Sequence, residues 1–178
     1  PRLPSLRLAS YPQWRDVRSK IKPKQAAVRL DPYLVDDAAR WAQESPGIVW
    51  YAMREFAYWM RERHGIPVFD GGMGEELLKE DGSRSILVSI HAHGRGRDGL
   101  QYAFSRQNVA QFPSSSRRTQ QLFGRVVRRG QECPDVHTSI YRHLKPLRDA
   151  YDQSVMRAKY VEEILGEVHH LLAAIRGK

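Results

Sequence analysis

From residue 48 to residue 141, short aliphatic runs alternate with stretches of helical character, and this alternation restricts the fold more than any other feature. Ile48 to Ala52, Ile66 to Phe69, Ile86 to Ile90, Asn108 to Phe112 and Val136 to Tyr141 have the length and the aliphatic or β-branched content of strands. Helix signals fall between them: Glu55 to His64 stopped by Gly65, Met73 to Lys79 before the Asp81-Gly82 turn, and Ser114 to Arg129 with a serine cap and a closing Gly130. Strands joined through helices must run parallel, and a parallel sheet needs cover on both faces. The expected fold is therefore α/β, three-layered, with a mostly parallel central sheet flanked by helices and with ligands beyond the carboxyl ends of the strands.

The flanks read differently. Residues 1–24 are rich in proline and basic residues without a steady period, which predicts a linker or surface arm and a boundary near Gln25, leaving 25–178 as the folded domain. A helix is expected from Asp31-Pro32 to just before Pro46-Gly47. A long final helix is expected over Pro146 to Ile175. Its apolar positions Val155, Tyr160, Val161, Ile164, Leu165, Val168, Leu171 and Leu172 would cover their own domain or meet a neighbouring lobe. The first residue, Pro1, suggests a piece of a longer chain.

Lys and Arg outnumber Asp and Glu 29 to 20, a formal charge of +9, which favours a polyanionic partner. Cys133 is the one cysteine, so no internal disulfide forms and a reducing compartment is expected, cytoplasmic or nucleoid/nuclear. The longest apolar runs are too short to span a bilayer, and no membrane partner is expected.

The chemistry concentrates in Gln121-Leu-Phe-Gly124-Arg125-Val-Val-Arg128. Wound as a helix, Gln121, Gly124, Arg125 and Arg128 share one face, while Leu122, Phe123, Val126 and Val127 share the other. Two guanidinium groups side by side suit phosphate, because each planar fork stays charged and meets two oxygens at once. An isolated pair of arginines is more often a solvated basic face. This segment, continued through Arg129-Gly130-Gln131, resembles motif VI of superfamily 2 helicases, and its Gly-Gln tail is similar to the Swi/Snf-type form. Ser89-Ile-His-Ala-His-Gly94-Arg95-Gly96-Arg97-Asp98 follows the Ile86 to Ile90 run and resembles motif V. It departs from the family pattern at Gly99. Gly47 to Met60 resembles motif IV, in which Trp50, Tyr51, Tyr58 and Trp59 are expected to be core and not base-stacking residues.

The resemblance implies a C-terminal RecA-like lobe of a nucleic-acid-dependent ATPase, a helicase or translocase. Arg125 and Arg128 would be its arginine fingers, Gln121, Gly124 and Gly96 would lie at the nucleotide, and Asp98 would touch the nucleotide ribose or a motif VI arginine. Ser89, Gly94, Arg95, Arg117 and Arg118 would lie at nucleic acid, DNA favoured over RNA. No Gly-x-x-x-x-Gly-Lys-Ser/Thr loop occurs and no Asp-Glu box follows an apolar strand. ATP with Mg2+ would accordingly be held mainly by a missing N-terminal lobe, supplied in cis or in trans, and the isolated chain is expected to be inactive. The alternative is a non-catalytic basic module that binds nucleic acid or protein. His91 and His93 are two apart and would point to the same side if they lay on a strand, which leaves a metal-dependent nuclease as a weaker third reading, with no metal ligand set assigned.

Overall fold

The computed structural model describes residue 15, residues 27–94 and residues 98–176. Chain contacts separate 1–30 from 31–178. Of the first unit, Arg15 is helical and exposed, and residues 27–30 are exposed without regular structure. The surface arm expected over 1–24 otherwise lies outside the described residues.

In the second unit the chain runs α1 (Tyr33–Glu44), β1 (Ile48–Tyr51), α2 (Arg54–His64), β2 (Val68–Phe69), α3 (Gly74–Leu77) and β3 (Ile86–Ser89). It continues through α4 (Ile90–His93), α5 (Leu100–Ala103), β4 (Arg106–Val109), α6 (Ser116–Phe123), β5 (His137–Ile140), α7 (Lys145–Leu165) and α8 (His170–Arg176). The five strands form one sheet in the order β2-β3-β1-β4-β5, and every pairing is parallel. The three-layer α/β arrangement expected from the alternation is the one observed.

Side chains alternate across a strand, so β1 feeds two cores. Ile48 and Trp50 join Ile86, Val88, Val109, Leu100, Leu122 and Leu171 on one face. Val49 and Tyr51 join Leu87, Val68 and the Val35, Ala38, Ala39, Phe56 and Met60 side chains of α1 and α2 on the other. Each large aliphatic side chain buried in this way contributes about 1.5–3 kcal/mol. One series of polar side chains is paired across three strands: Trp50 Nε1 donates to Gln107 Oε1 at 2.9 Å, and Gln107 Nε2 donates to Thr138 Oγ1 at 2.9 Å. Of the four aromatic residues expected in the core, Trp50 and Tyr51 are fully buried, whereas Tyr58 and Trp59 are half-buried on α2.

Two helices end earlier than their sequence patterns suggest. α6 stops at Phe123 and not at Arg129, because Gly124 closes it with its N–H on the Gln120 carbonyl, and the next residues form turns. The expected single helix from Pro146 to Ile175 is two helices. Gly166 adopts φ 67°, a left-handed conformation that ends α7 with a bond to the Glu162 carbonyl. After that break α8 folds back onto α6. Only Leu171 and Leu172 of the expected apolar series are buried, Val155 and Val161 are half-buried, and Tyr160, Ile164, Leu165 and Val168 face solvent.

The return of α8 is held by His169, which is 5% exposed. Its Nε2 lies 3.0 Å from the Ser116 carbonyl and its Nδ1 accepts the Leu171 N–H at 3.2 Å, so the ring is neutral with the proton on Nε2. The next residue's N–H meets Gln120 Oε1 at 2.5 Å. Burial is the main cause lowering the His169 pKa; the Ser116 bond and Glu162 on α7 oppose it, and His170 adds to it. Burial and then the Arg128 charge lower that of His170. Both groups bind protons more readily unfolded than folded, so their contribution is complete above the unfolded value near 6.5 and is lost as pH falls below it. Thermal melts from pH 7.5 to 5 should show a falling midpoint, and His169→Gln should flatten that slope.

Candidate functional site

Two loops of the second unit meet: the connection after β3, which carries Gly94 and Asp98, and the turn after α6, which carries Arg125 and Arg128. Ser89 ends β3 and is 4% exposed, its Oγ accepting the Ala92 N–H at 3.4 Å to start α4. Gly94 ends α4 with its N–H on the Ile90 carbonyl at 3.0 Å. A Cβ there would stand 2.4 Å from the same carbonyl oxygen, so only glycine fits the turn. The chain resumes description at Asp98; Arg95 and Gly96, both expected at the site, lie outside the described residues.

Asp98 is where the expected residues converge. Its Oδ1 is ion-paired with Arg128 Nη1 and lies 3.5 Å from Arg125 Nη1. The two arginines sit in different surroundings. Arg125 is 5% exposed and its Nε reaches toward the Gly94 carbonyl at 3.4 Å; burial pulls its pKa below the ordinary arginine value without discharging it. Arg128 and Asp98 are 39% and 72% exposed. The apolar half of the expected helix face also changes: Leu122, Phe123 and Val126 are buried, but Val127 is 44% exposed. Once α6 ends, a helical repeat no longer assigns faces, and Arg125 turns inward while Val127 turns out.

Gly124, expected to leave room for a close approach, is buried against the His170 ring, where a Cβ would lie 3.6 Å from Cδ2 and Nε2. Gln121 lies beside it. With Ile90, His91, Gly94 and Arg118, Gln121 lines a cavity of about 160 Å³, and its Oε1 is buried without a hydrogen-bond partner. A second cavity, of about 540 Å³, is lined by Asp98, Gly99, Gln101, Tyr102, Arg128 and Arg129. Arg125 links the two through Gly94 on one side and Asp98 on the other. Arg117 points elsewhere, into a groove beside Val161, Val168 and His169.

The histidine pair does not form a site. His91 and His93 fall on helix α4 and not on a strand: His91 is exposed, while His93 is 1% exposed with Nε2 2.8 Å from the Asp70 carbonyl. Tyr102 and Arg129 in the second cavity were not singled out from the sequence, since a four-residue helix has no periodicity to mark an exposed aromatic.

Chemically, the convergence offers three guanidinium groups at Arg118, Arg125 and Arg128, one exposed carboxylate, and an unpaired amide oxygen. It suits an anionic ligand that also carries hydroxyl or amino donors. The charge of a triphosphate fits this set. A magnesium ion does not, since Asp98 is engaged by both arginines and, among the described residues, no three His, Cys, Asp or Glu side chains are placed to hold a metal ion together.

No protein-family model matches the chain, and no curated protein matches it. Among solved structures it is similar to the C-terminal part of the Fun30 ATPase domain, at 13% identity and a TM-score of 0.49, over 89% of this chain and 61% of that one. The chain thus spans less than two thirds of that neighbour's length.

Arg125 and Arg128 should separate in their effect on folding. Denaturant melts of Arg125→Ala should show a loss of about 1.5–3 kcal/mol, the cost of removing hydrogen bonds to a buried charged group. Arg128→Ala, which breaks a solvent-exposed pair, should stay within about 1 kcal/mol of the parent.

Proposed function

We propose that this chain is the second lobe of a nucleic-acid-dependent ATPase of the superfamily 2 helicase or translocase type. Its role would be to present Arg128, steadied by Arg125, to ATP held mainly by another lobe. The observation that carries this reading is the convergence of Asp98 with Arg125 and Arg128, because the same residues were singled out from motif V-like and motif VI-like segments far apart in the sequence.

ATP supplies the phosphoryl group to be transferred. Arg128 holds only a solvent-exposed partner, so exchanging Asp98 for a phosphate oxygen costs little. Its fork then stabilises charge that develops on the equatorial oxygens during transfer. Arg125 is fixed by burial and by the Gly94 carbonyl, so it acts as a brace that sets where Arg128 starts. Asp98, released from Arg128, is free to accept a ribose hydroxyl. Arg118, beside Gln121 in the first cavity, is exposed and available to further phosphates. The excess of 29 basic over 20 acidic residues supports a nucleic-acid partner, DNA by the Swi/Snf-like tail.

The second reading, a basic binding module without ATP chemistry, is favoured by two placements: Arg125 is buried, and Gly124 is closed off by His170. One comparison separates the two. In the protein joined to its N-terminal lobe, Arg128→Ala should lower nucleic-acid-stimulated ATP turnover by about a thousandfold while leaving DNA affinity nearly unchanged. Unchanged turnover would sink the ATPase assignment and leave the binding module.

A further inference from the structure

One wall of the cavity beside Arg128 is an aromatic ring that none of the roles above uses. Tyr102 is 71% exposed. An exposed tyrosine ordinarily samples several rotamers, but this one is propped. A Cβ on Gly130 would lie 2.4 Å from Tyr102 Cε1 and 3.1 Å from its hydroxyl, so one edge of the ring rests on bare glycine backbone. Gly130 has φ 88°, a conformation that disfavours any other residue there. Below the ring, the Tyr102 N–H bonds the Gly99 carbonyl at 3.2 Å, and Gln101 Oε1, on a side chain 4% exposed, accepts the Gly99 N–H at 2.9 Å. The ring is held without being covered.

Arg128, Arg129 and Asp98 share its cavity of about 540 Å³. A flat aromatic face, two guanidinium groups and one carboxylate complement a molecule with a flat aromatic ring, anionic oxygens and hydroxyl donors. Nucleotides combine all three. We propose that Tyr102 is the stacking platform for the base of a free nucleotide whose phosphates reach Arg128. This rests on the ATP-handling reading above and adds what that reading lacks, a group on this lobe that recognises the base and not the phosphates. Stacking on a ring already immobilised costs little conformational entropy, which is why a propped aromatic serves better than a free one.

The test is a titration of the isotope-labelled chain, followed by nuclear magnetic resonance shifts, with magnesium ATP, with magnesium tripolyphosphate, which has the charge but no base, and with an oligothymidine. Tyr102→Ala should weaken ATP binding roughly tenfold and leave tripolyphosphate binding unchanged, and Tyr102→Phe should restore ATP. Arg128→Ala should weaken ATP and tripolyphosphate alike. If Tyr102→Ala weakens neither or both equally while Arg128→Ala acts on both, the stacking role is overturned and the phosphate site stands. A loss confined to the oligothymidine also overturns it. If Arg128→Ala affects neither anion, the ATP reading falls and takes this proposal with it. If the parent chain binds neither, this lobe has no base platform of its own, and the stacking proposal falls while ATP held by the other lobe is untouched. Thermal melts check that each variant is folded, and a ring this exposed should be replaceable without loss of the fold.

Discussion

β1 and β3 are shielded from water on both faces, and the placement of every candidate functional group follows from that. All four residues of each strand are buried, from Ile48 to Tyr51 and from Ile86 to Ser89. An unpaired polar group there is costly, and the Trp50, Gln107 and Thr138 series meets that cost by pairing side chains across the sheet, leaving the buried Asn108 Oδ1 of β4 as an exception. Groups meant for a ligand must sit where the sheet ends. Ser89 marks that limit: it is the last residue of β3, its hydroxyl is used up in starting α4, and chemistry becomes available only from Gly94 onward.

Arg125 is the exception, a charge carried inward. Removing a guanidinium from water is expensive unless its donors are met. The Gly94 carbonyl and the Asp98 carboxylate meet some of them, and because these groups belong to the loop after β3, the interaction also fixes that loop to the turn after α6. Its neighbour Arg128 makes the complementary choice, pairing in solvent where exchange is cheap. The site therefore combines one arginine that positions and one that can leave its partner. The arrangement depends on α6 ending at Phe123, because a continued helix would have put both arginines on the same exposed face.

The strand and helix alternation was legible because β1, β2 and β3 are mainly apolar runs flanked by turn residues and Gly65 stops α2 where glycine should. β4, by contrast, is Arg-Gln-Asn-Val and begins two residues before the strand expected at Asn108 to Phe112, because its polar side chains find partners inside the sheet and next to it. The convergence of Asp98 with Arg125 and Arg128 was also legible, since motif-like spacing places chemistry without needing exact helix ends. Other features depended on contacts between distant segments. Gly124 reads as space for a ligand until His170 is seen to occupy it, and the apolar repeat from Val155 to Leu172 continues smoothly across Gly166 although the backbone does not. Nothing local to His169 announces its burial, because the Ser116 carbonyl that accepts its Nε2–H lies 53 residues away. His91 and His93 would share a side on a strand, but α4 begins one residue earlier than that reading requires and puts them in different environments. Tyr102 belongs to the same group: its exposure is set by Gly130, far along the chain, and no pattern in Leu100 to Ala103 encodes it.

These distant contacts share a consequence. α8 closes over Gly124 through His170, whose ring feels the charge of Arg128, while Arg128 in turn is held by Asp98 at the mouth of the Tyr102 cavity. A ligand that draws Arg128 away from Asp98 also changes the charge near His170, and protonation of His170 changes the field in which Arg128 binds its ligand. Reciprocity is a thermodynamic requirement of such coupling. An anion at Arg128 should raise the proton affinity of His170 by the same free energy by which a proton on His170 strengthens anion binding, provided α8 stays docked. If acid instead frees α8 through His169, the two effects oppose each other, and their balance depends on whether α8 detaches before His170 is protonated in place. His169 is the more deeply buried ring and has both nitrogens engaged, so its protonation breaks a bond, whereas that of His170 adds a charge. Modest acidification in the presence of an anion should therefore act first through His170, with release of α8 following at lower pH.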